Sequence, residues 1–109
     1  MIEKKEFYIN GAWAAPAAAR DHEVINPSNE EPCAVISLGD QADTDAAVAA
    51  AKRAFPAWAS TSVEDRIAKV EKLRDIYKRR GEEMAQAISL EMGAPIDMAR
   101  EQQVGAGSW

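Results

Sequence analysis

The chain has 109 residues and a formal net charge of -5 at neutral pH, a size that fits one small domain. The negative charge excludes a nucleic-acid partner, because phosphate binding needs a concentrated positive field. The single cysteine, Cys33, excludes an internal disulfide and favours a reducing, cytoplasmic location. No run of about 18 apolar residues is present to span a bilayer, so we expect no membrane partner.

The first 39 residues predict short strands, of which residues 7–13 give the clearest signal. Asn10 and Gly11 lie between apolar residues, and this pair is typical of a type I′ hairpin turn, in which both central positions need positive φ. Asn26, Pro27, Ser28 and Asn29 form a second turn cluster. We expect the extended pieces at 7–9, 12–13, 23–25 and 34–38 to form an antiparallel ribbon.

From Asp40 onward the apolar period changes from two to 3.6, which predicts a helix. Asp40 is the expected N-cap, and Asp43 occupies the third helical position, where its charge meets the positive helix end. We expect Pro56 to end the helix, because proline lacks the N–H that the previous turn requires, and Trp58 to lie in the connection. The expected apolar stripe consists of Ala47, Val48, Ala51, Ala54 and Phe55.

Three further helices are expected up to the end of the chain. Ser62 is the predicted N-cap of the second, and Gly81 is placed to interrupt or terminate it. The third ends at Gly93, and Pro95 suits the first turn of a fourth that begins at Ile96. Region 1–39 is therefore a β-ribbon and region 40–109 is helical, an α+β arrangement. The chain stops at Trp109 without a capping signal, which predicts a cut rather than a finished domain.

Five short pieces of the sequence occur in an informative order and cover nearly the whole chain. They are Phe7-Tyr8-Ile9-Asn10-Gly11-x-Trp13, Val24-Ile25-Asn26-Pro27, Ala46-Ala47-Val48 through Ala54-Phe55-Pro56-x-Trp58, Arg66, and Glu91-Met92-Gly93-Ala94-Pro95. Together they resemble the start of an NAD(P)-dependent aldehyde dehydrogenase. Each piece has a role in turns, helix ends or packing, so the resemblance is carried by the scaffold.

The resemblance implies that 1–109 is the N-terminal segment of an α/β Rossmann-like cofactor-binding domain, with the catalytic domain absent. In the family, a cysteine thiolate attacks the aldehyde, hydride passes to NAD or NADP, and a glutamate-activated water releases the acid. The nucleophile, that glutamate and the phosphate-binding glycines lie downstream in the family. We therefore expect no catalytic, cofactor-binding or metal residue in 1–109, and no cofactor bound to this piece alone. Full-length relatives are expected to be dimers or tetramers.

Three side chains could be mistaken for catalytic groups. Cys33 has Glu30 and Glu31 nearby, and acids disfavour the thiolate that a nucleophile needs, so we interpret Cys33 as structural or incidental. His22 has no nucleophile or second metal ligand at a useful spacing, and we expect it in an exposed loop. Glu91 lies in the family-like segment and is interpreted as a helix-end residue, because the family's catalytic glutamate belongs to a later motif.

Two backbone features have similarly ordinary interpretations. Gly105 and Gly107 follow a helical pattern rather than a strand and lack G-x-G-x-x-G spacing, so they predict no phosphate loop. Some aldehyde dehydrogenases bind a monovalent cation near the Asn-Pro turn, partly through backbone carbonyls. By that resemblance, Val24 and Ile25 are the matching stretch here.

Three hypotheses for the function remain. The chain is part of an active oxidoreductase, a standalone non-catalytic module that binds a partner through its apolar helix faces, or an unrelated small α+β binding protein. The first predicts a reading frame that continues past Trp109, whereas the second predicts a stop codon there. Because the cofactor-domain sheet is missing, we expect the isolated chain to expose a contiguous apolar patch.

Overall fold

The computed structural model describes residues 1–108, which form two compact units. One unit comprises Met1–Ile25 and Pro32–Thr61, and the other comprises Asn26–Glu31 and the residues from Ser62 onward. The composition is α+β, as predicted. The strands are β1 (Ile2–Lys4), β2 (Phe7–Ile9), β3 (Ala12–Ala14), β4 (Asp21–Asn26) and β5 (Glu31–Ser37). The helices are α1 (Gln41–Ala59), α2 (Val63–Arg79), α3 (Gly81–Met92) and α4 (Ile96–Met98), followed by a π-helix (Ala99–Val104) and a 3₁₀ helix (Gly105–Ser108).

The hairpin of β2 and β3 confirms the Asn-Gly prediction. The strands pair antiparallel with Tyr8 opposite Trp13, and Asn10 and Gly11 have φ of 55° and 78°. Positive φ at both turn positions is the requirement of a type I′ turn. The rings of Tyr8 and Trp13 meet edge to face with centroids 5.3 Å apart.

A second, three-stranded sheet has the order β1-β5-β4 and corrects the prediction of a wholly antiparallel ribbon. The β4 and β5 strands run antiparallel, since Glu30 N donates to Asn26 O near one end and Leu38 N to Arg20 O near the other. In contrast, β1 runs parallel to β5, with Ile2 opposite Ala34. Sequence reasoning missed β1 because a parallel partner lies far along the chain and leaves no local turn signal.

The first turn of α1 has the predicted cap. The Asp40 carboxylate accepts hydrogen bonds from Ala42 N (3.0 Å) and Asp43 N (3.2 Å), and the Asp43 carboxylate accepts one from Asp40 N (3.0 Å). Asp43 also accepts a hydrogen bond of 2.9 Å from Ala17 N. The Ala17 N–H, followed by the Asp40 N–H, lowers the pKa of Asp43 because both bonds favour the carboxylate. The reciprocal cap therefore fixes where α1 begins and attaches the preceding loop to it.

The prediction that Pro56 ends α1 was wrong. The helix continues to Ala59, and Trp58 lies within it rather than in a connection. Proline near the end of a helix removes only one backbone bond, and the exposed carbonyls there find other donors. Ser60 N donates to Pro56 O at 3.2 Å, and Thr61 Oγ1 donates to Trp58 O at 2.6 Å.

The boundaries of α2 and α3 match their predicted signals. The Ser62 hydroxyl accepts a hydrogen bond from Asp65 N at 3.1 Å, so Ser62 caps α2. The helix ends at Arg79, and Gly81 is the first residue of α3. Gly93 ends α3 with φ of 74°, the left-handed conformation that glycine adopts without steric cost.

The fourth helix differs most from its prediction. Pro95 is the N-cap residue rather than part of the first turn, and the α-helix lasts only from Ile96 to Met98. The π-helix and the 3₁₀ helix then follow. Local apolar spacing cannot distinguish these helix types, because it does not show whether each N–H bonds to the carbonyl three, four or five residues earlier. The buried cluster of this unit consists of Ala85, Ala94, Ala99 and Val104.

Large apolar side chains remain exposed on both long helices. On α2, Val63, Ile67, Val70 and Leu73 are between 53% and 65% exposed. On α1, the predicted stripe is exposed, including Phe55 at 66%, and the buried residue is Ala50, which the prediction omitted. Within residues 1–108, no helix combines the length and apolarity needed to cross a bilayer.

We predict that the isolated 109-residue chain binds the dye ANS and self-associates, because its exposed apolar residues attract each other and the dye. Fluorescence titration and light scattering measure the two effects. Val70→Lys should reduce both, whereas Lys72→Ala, on the same helix, should leave them unchanged. A monomer that unfolds in one sharp thermal transition without binding the dye would contradict this prediction.

We predict that Asp40→Ala destabilises α1 by about 1 kcal/mol, the usual effect of losing an N-cap side chain. Hydrogen exchange at the amides of Ala42 and Asp43 should then accelerate by roughly fivefold, since both lose their acceptor. Asp45→Ala is the control, because it removes only an exposed hydrogen bond from Gln41. Unchanged exchange in Asp40→Ala would mean that the cap does not hold this helix end.

Candidate functional site

Cys33 lies on β5 with its side chain half-buried. Its Sγ donates a hydrogen bond of 3.3 Å to the backbone carbonyl of Val24 on the neighbouring strand. This bond directs the thiol to a main-chain carbonyl and not to a side chain that could remove its proton. The geometry fits the structural role expected from the sequence, and the absence of a catalytic role stays a prediction.

His22 is exposed, as expected, but it lies in β4 and not in a loop. The prediction placed the start of this strand at residue 23, and the structure extends it to Asp21. Two hydrogen bonds just before the strand explain the difference: Arg20 N donates to Ser37 Oγ at 3.2 Å, and Leu38 N donates to Arg20 O at 2.8 Å. These bonds extend the pairing of β4 with β5 beyond the predicted start of β4 at residue 23.

Glu91 lies in the last turn of α3 and is exposed, which agrees with its interpretation as a helix-end residue. The structure therefore leaves Cys33, His22 and Glu91 on three different elements. Among residues 1–108, no group of three or more His, Cys, Asp or Glu side chains is placed to hold a metal ion. The candidate residues named from the sequence do not form one site.

The stretch expected to contact a monovalent cation lies at the end of β4. The Val24 carbonyl already accepts the bond from Cys33, and Ile25 is 45% exposed. In the turn that follows, Ser28 N donates to Asn26 Oδ1 at 2.9 Å. A cation site at Val24 and Ile25 stays a prediction.

Gly105 and Gly107 lie in the 3₁₀ helix, directly after the π-helix. A phosphate-binding loop instead follows a strand and leaves open space beside its glycines. At Gly107 that space is filled, because a Cβ there would overlap the Tyr77 hydroxyl. Gly107 therefore provides room for a tyrosine, and the absence of a phosphate-binding role for these two glycines stays a prediction.

A network of polar side chains joins α3 to the π-helix. Arg100 donates two hydrogen bonds to the Glu82 carboxylate, from Nε at 2.8 Å and from Nη2 at 2.7 Å. Gln86 Nε2 donates to the same carboxylate at 2.8 Å. Asp97 accepts a weaker bond of 3.4 Å from Arg100 Nη1. The sequence did not predict the contact between Glu82 and Arg100, since the two residues are distant along the chain.

These contacts strongly affect the ionisation of Glu82. Its hydrogen bonds with Arg100, followed by that with Gln86, lower the pKa of Glu82 from 4.5 to about 2. The same pairing raises the pKa of Arg100. Both side chains are largely exposed, so solvent screens the pair and its effect on stability is small. A paired carboxylate with a lowered pKa is a poor proton acceptor.

Next to this pair is a shallow cavity of about 350 Å³. The Tyr77 hydroxyl donates a hydrogen bond of 2.8 Å to the carbonyl of buried Val104. Gln103, on the same π-helix, has a buried Oε1 with no partner among residues 1–108. The cavity wall contains no nucleophile beside a general base. Its lining consists of Tyr77, Lys78, Gly81, Glu82, Arg100, Val104, Gly105 and Ser108.

This scaffold is shared with solved enzymes. Aldehyde dehydrogenase from Bartonella henselae has 53% sequence identity to the chain and a TM-score of 0.96, over 99% of this chain and 23% of that one. Aldehyde dehydrogenase C from Pseudomonas syringae, a cysteine-to-alanine mutant solved with NAD+ and octanal, has 45% identity and a TM-score of 0.93. That match covers 95% of this chain and 21% of that one. The α+β arrangement is thus that of the N-terminal part of aldehyde dehydrogenases.

Sequence comparison agrees with the structural one. Residues 13–108 match the aldehyde dehydrogenase family. The 3-succinoylsemialdehyde-pyridine dehydrogenase of a Pseudomonas species is 43% identical over 108 residues, which are 98% of this chain and 23% of that protein. The chain therefore belongs to the aldehyde dehydrogenase family. It spans only 21–23% of the length of these relatives.

We predict that Glu82 titrates with a pKa of about 2 and that Arg100→Ala returns this pKa toward 4.5, because the variant removes its main hydrogen bonds. The Glu82 contribution to stability is then complete above pH 4.5 and is lost as the pH falls toward about 2, since the folded pKa lies below the unfolded one. Carboxyl carbon chemical shifts measure the titration.

The matched control for this titration is Arg74→Ala, which removes an ion pair with Asp75 on α2. It should leave the Glu82 titration unchanged. If Arg100→Ala also leaves it unchanged, the carboxylate is not held by the guanidinium.

Proposed function

We propose that the chain forms the N-terminal part of an NAD(P)-dependent aldehyde dehydrogenase, which oxidises an aldehyde to a carboxylic acid. The observation that carries the proposal is the match to the Bartonella henselae enzyme, at 53% identity and over 99% of this chain. Since the chain spans 23% of that enzyme, the remaining machinery belongs to segments outside residues 1–109.

In this proposal residues 1–109 are scaffold for a cofactor-binding domain and contribute no catalytic, cofactor-binding or metal residue. The contacts described above support this role. Cys33 donates a hydrogen bond to a strand carbonyl, the Glu82 carboxylate is paired with the Arg100 guanidinium, and the space at Gly107 is occupied by Tyr77. The exposed apolar faces of α1 and α2 are the surfaces that the rest of the domain would cover.

The cofactor of the longer enzyme is NAD or NADP, supported by the relative solved with NAD+. The aldehydes associated with the relatives are chemically different: one enzyme is named for a pyridine semialdehyde and another was solved with octanal, and the two molecules share only the aldehyde group. We further propose that the longer enzyme is a cytoplasmic homo-oligomer. Support for the reducing compartment is the single free thiol, and the homo-oligomer follows from the resemblance to the family.

A standalone interaction module of the same family is the second candidate function. The observation that favours it is the α2 face formed by Val63, Ile67, Val70 and Leu73, which is available to a partner helix. This candidate predicts a stop codon directly after Trp109 and a defined oligomer in solution. Reading the codons that follow the coding sequence separates the two proposals.

We predict that the purified 109-residue chain forms no NADH or NADPH from aldehydes, whereas a longer product of the same locus that includes these residues does. Absorbance of the reduced cofactor during incubation with a panel of aliphatic and aromatic aldehydes measures the activity. Failure of the longer product on the whole panel, with either cofactor, would reject the dehydrogenase proposal.

The role of Cys33 is tested in the same assay. Cys33→Ser should leave the activity of the longer product unchanged, since Cys33 contacts only a strand carbonyl. Ser37 lies on the same strand as Cys33, and Ser37→Ala removes the hydrogen bond that its Oγ accepts from Arg20 N. This variant is the control for effects that come only from loosening the sheet. Turnover by the 109-residue chain that Cys33→Ser abolishes would overturn our interpretation of this residue.

A further inference from the structure

Asn10 occupies an unusual position among the asparagines of this chain. It lies at the exposed tip of the β2–β3 hairpin with φ of 55°, followed by Gly11 with φ of 78°. Within residues 1–108, no hydrogen bond restrains its side-chain amide. A Cβ built on Gly11 would meet no other atom within 4 Å apart from its chain neighbours, so the residue that follows Asn10 carries no side chain and has open space beside it.

The other two asparagines, Asn26 and Asn29, are both protected. Asn26 precedes Pro27, whose nitrogen carries no hydrogen and cannot act as a nucleophile toward the side chain. Asn26 Oδ1 also accepts a bond from Ser28 N at 2.9 Å. Asn29 precedes the bulkier Glu30, and its Oδ1 accepts a bond from Glu31 N at 3.1 Å.

We propose that Asn10 is a site of spontaneous deamidation. The Gly11 backbone nitrogen attacks Cγ of Asn10 and a new C–N bond forms, while the bond from Cγ to Nδ2 breaks. Ammonia leaves with the proton of the Gly11 N–H, which gives a five-membered succinimide. Water then opens the ring at either carbonyl and produces an aspartyl or an isoaspartyl residue. No atom is oxidised or reduced, so water is the only co-reactant.

The hairpin controls how often this reaction occurs. The succinimide ring contains Cα, Cβ, Cγ and the carbonyl carbon of Asn10, so the backbone must leave the type I′ turn before the ring closes. A hairpin of two three-residue strands is marginally stable by itself, so we expect its tip to open transiently. The edge-to-face contact of Tyr8 and Trp13 opposes this opening.

The product alters the turn permanently. An aspartyl residue adds one negative charge at the hairpin tip. An isoaspartyl residue also adds one methylene to the main chain, so the turn no longer has two standard residues. The register that sets Ile9 opposite Ala12 depends on a two-residue turn. The modification thus loosens the hairpin that held Asn10 in place.

The test uses the full 109-residue chain, incubated in mildly alkaline buffer and then digested with trypsin. Cleavage after Lys5, Arg20 and Lys52 places Asn10 in peptide 6–20 and both other asparagines in peptide 21–52. Mass spectrometry measures the deamidated fraction of each peptide and detects isoaspartate. We expect deamidation in 6–20, with isoaspartate present, to precede any in 21–52. Equal rates in the two peptides, or none in 6–20, would overturn the proposal.

Three variants test the structural cause. Asn10→Gly keeps a residue that tolerates positive φ and should abolish the mass change in 6–20. Trp13→Ala should accelerate deamidation by about two- to fivefold, because it removes the aromatic contact that holds the hairpin closed. Trp58→Ala, on α1, is the control and should not change the rate. If Trp13→Ala leaves the rate unchanged, hairpin opening does not limit the reaction and that part of the proposal is wrong.

Discussion

The constraint that governs this structure is the small size of its buried side chains. The residues buried among the described ones are alanines, one valine and one serine, and no large side chain among them is fully buried. Alanine allows two helices to approach closely, as where Ala85 of α3 meets Ala99 of the π-helix. It supplies little hydrophobic free energy, because that energy grows with the apolar area removed from water. Directional contacts, meaning the hydrogen bonds of caps and turns, must therefore define the helix ends and turns.

Those directional contacts are also what the sequence could predict. Asp40, Ser62 and Gly93 were recognised as helix boundaries because a cap needs a particular side chain, or none, at one position. The hairpin followed from Asn10 and Gly11 for the same reason. Family membership was also within reach of the sequence, through five short pieces that include Asn10, Gly11 and Gly93.

What the sequence could not predict depends on partners that are distant along the chain. The parallel pairing of β1 with β5 leaves no local signal, and neither does the contact of Arg100 with Glu82. The continuation of α1 past Pro56 was also missed, although the carbonyls of its last turn are bonded by nearby donors, including the hydroxyls of Ser60 and Thr61. The change from α-helix to π-helix after Met98 depends on whether each N–H bonds to the carbonyl four or five residues earlier. The spacing of apolar residues does not reveal this difference. For the site, the sequence supplied individual residues, and the structure shows which element carries each of them.

The parallel pairing of β1 with β5 affects the order in which the strands can pair during synthesis. Ile2 leaves the ribosome early, but its partner Ala34 is synthesised only after both strands of the hairpin and the whole of β4. Synthesis adds roughly 5–20 residues per second, so β1 waits for seconds with both edges unpaired. A hairpin can close in about 1–10 μs and forms long before then. Among the strands of this sheet β1 thus waits longest for its partner, and during that interval it is open to whatever binds nascent chains.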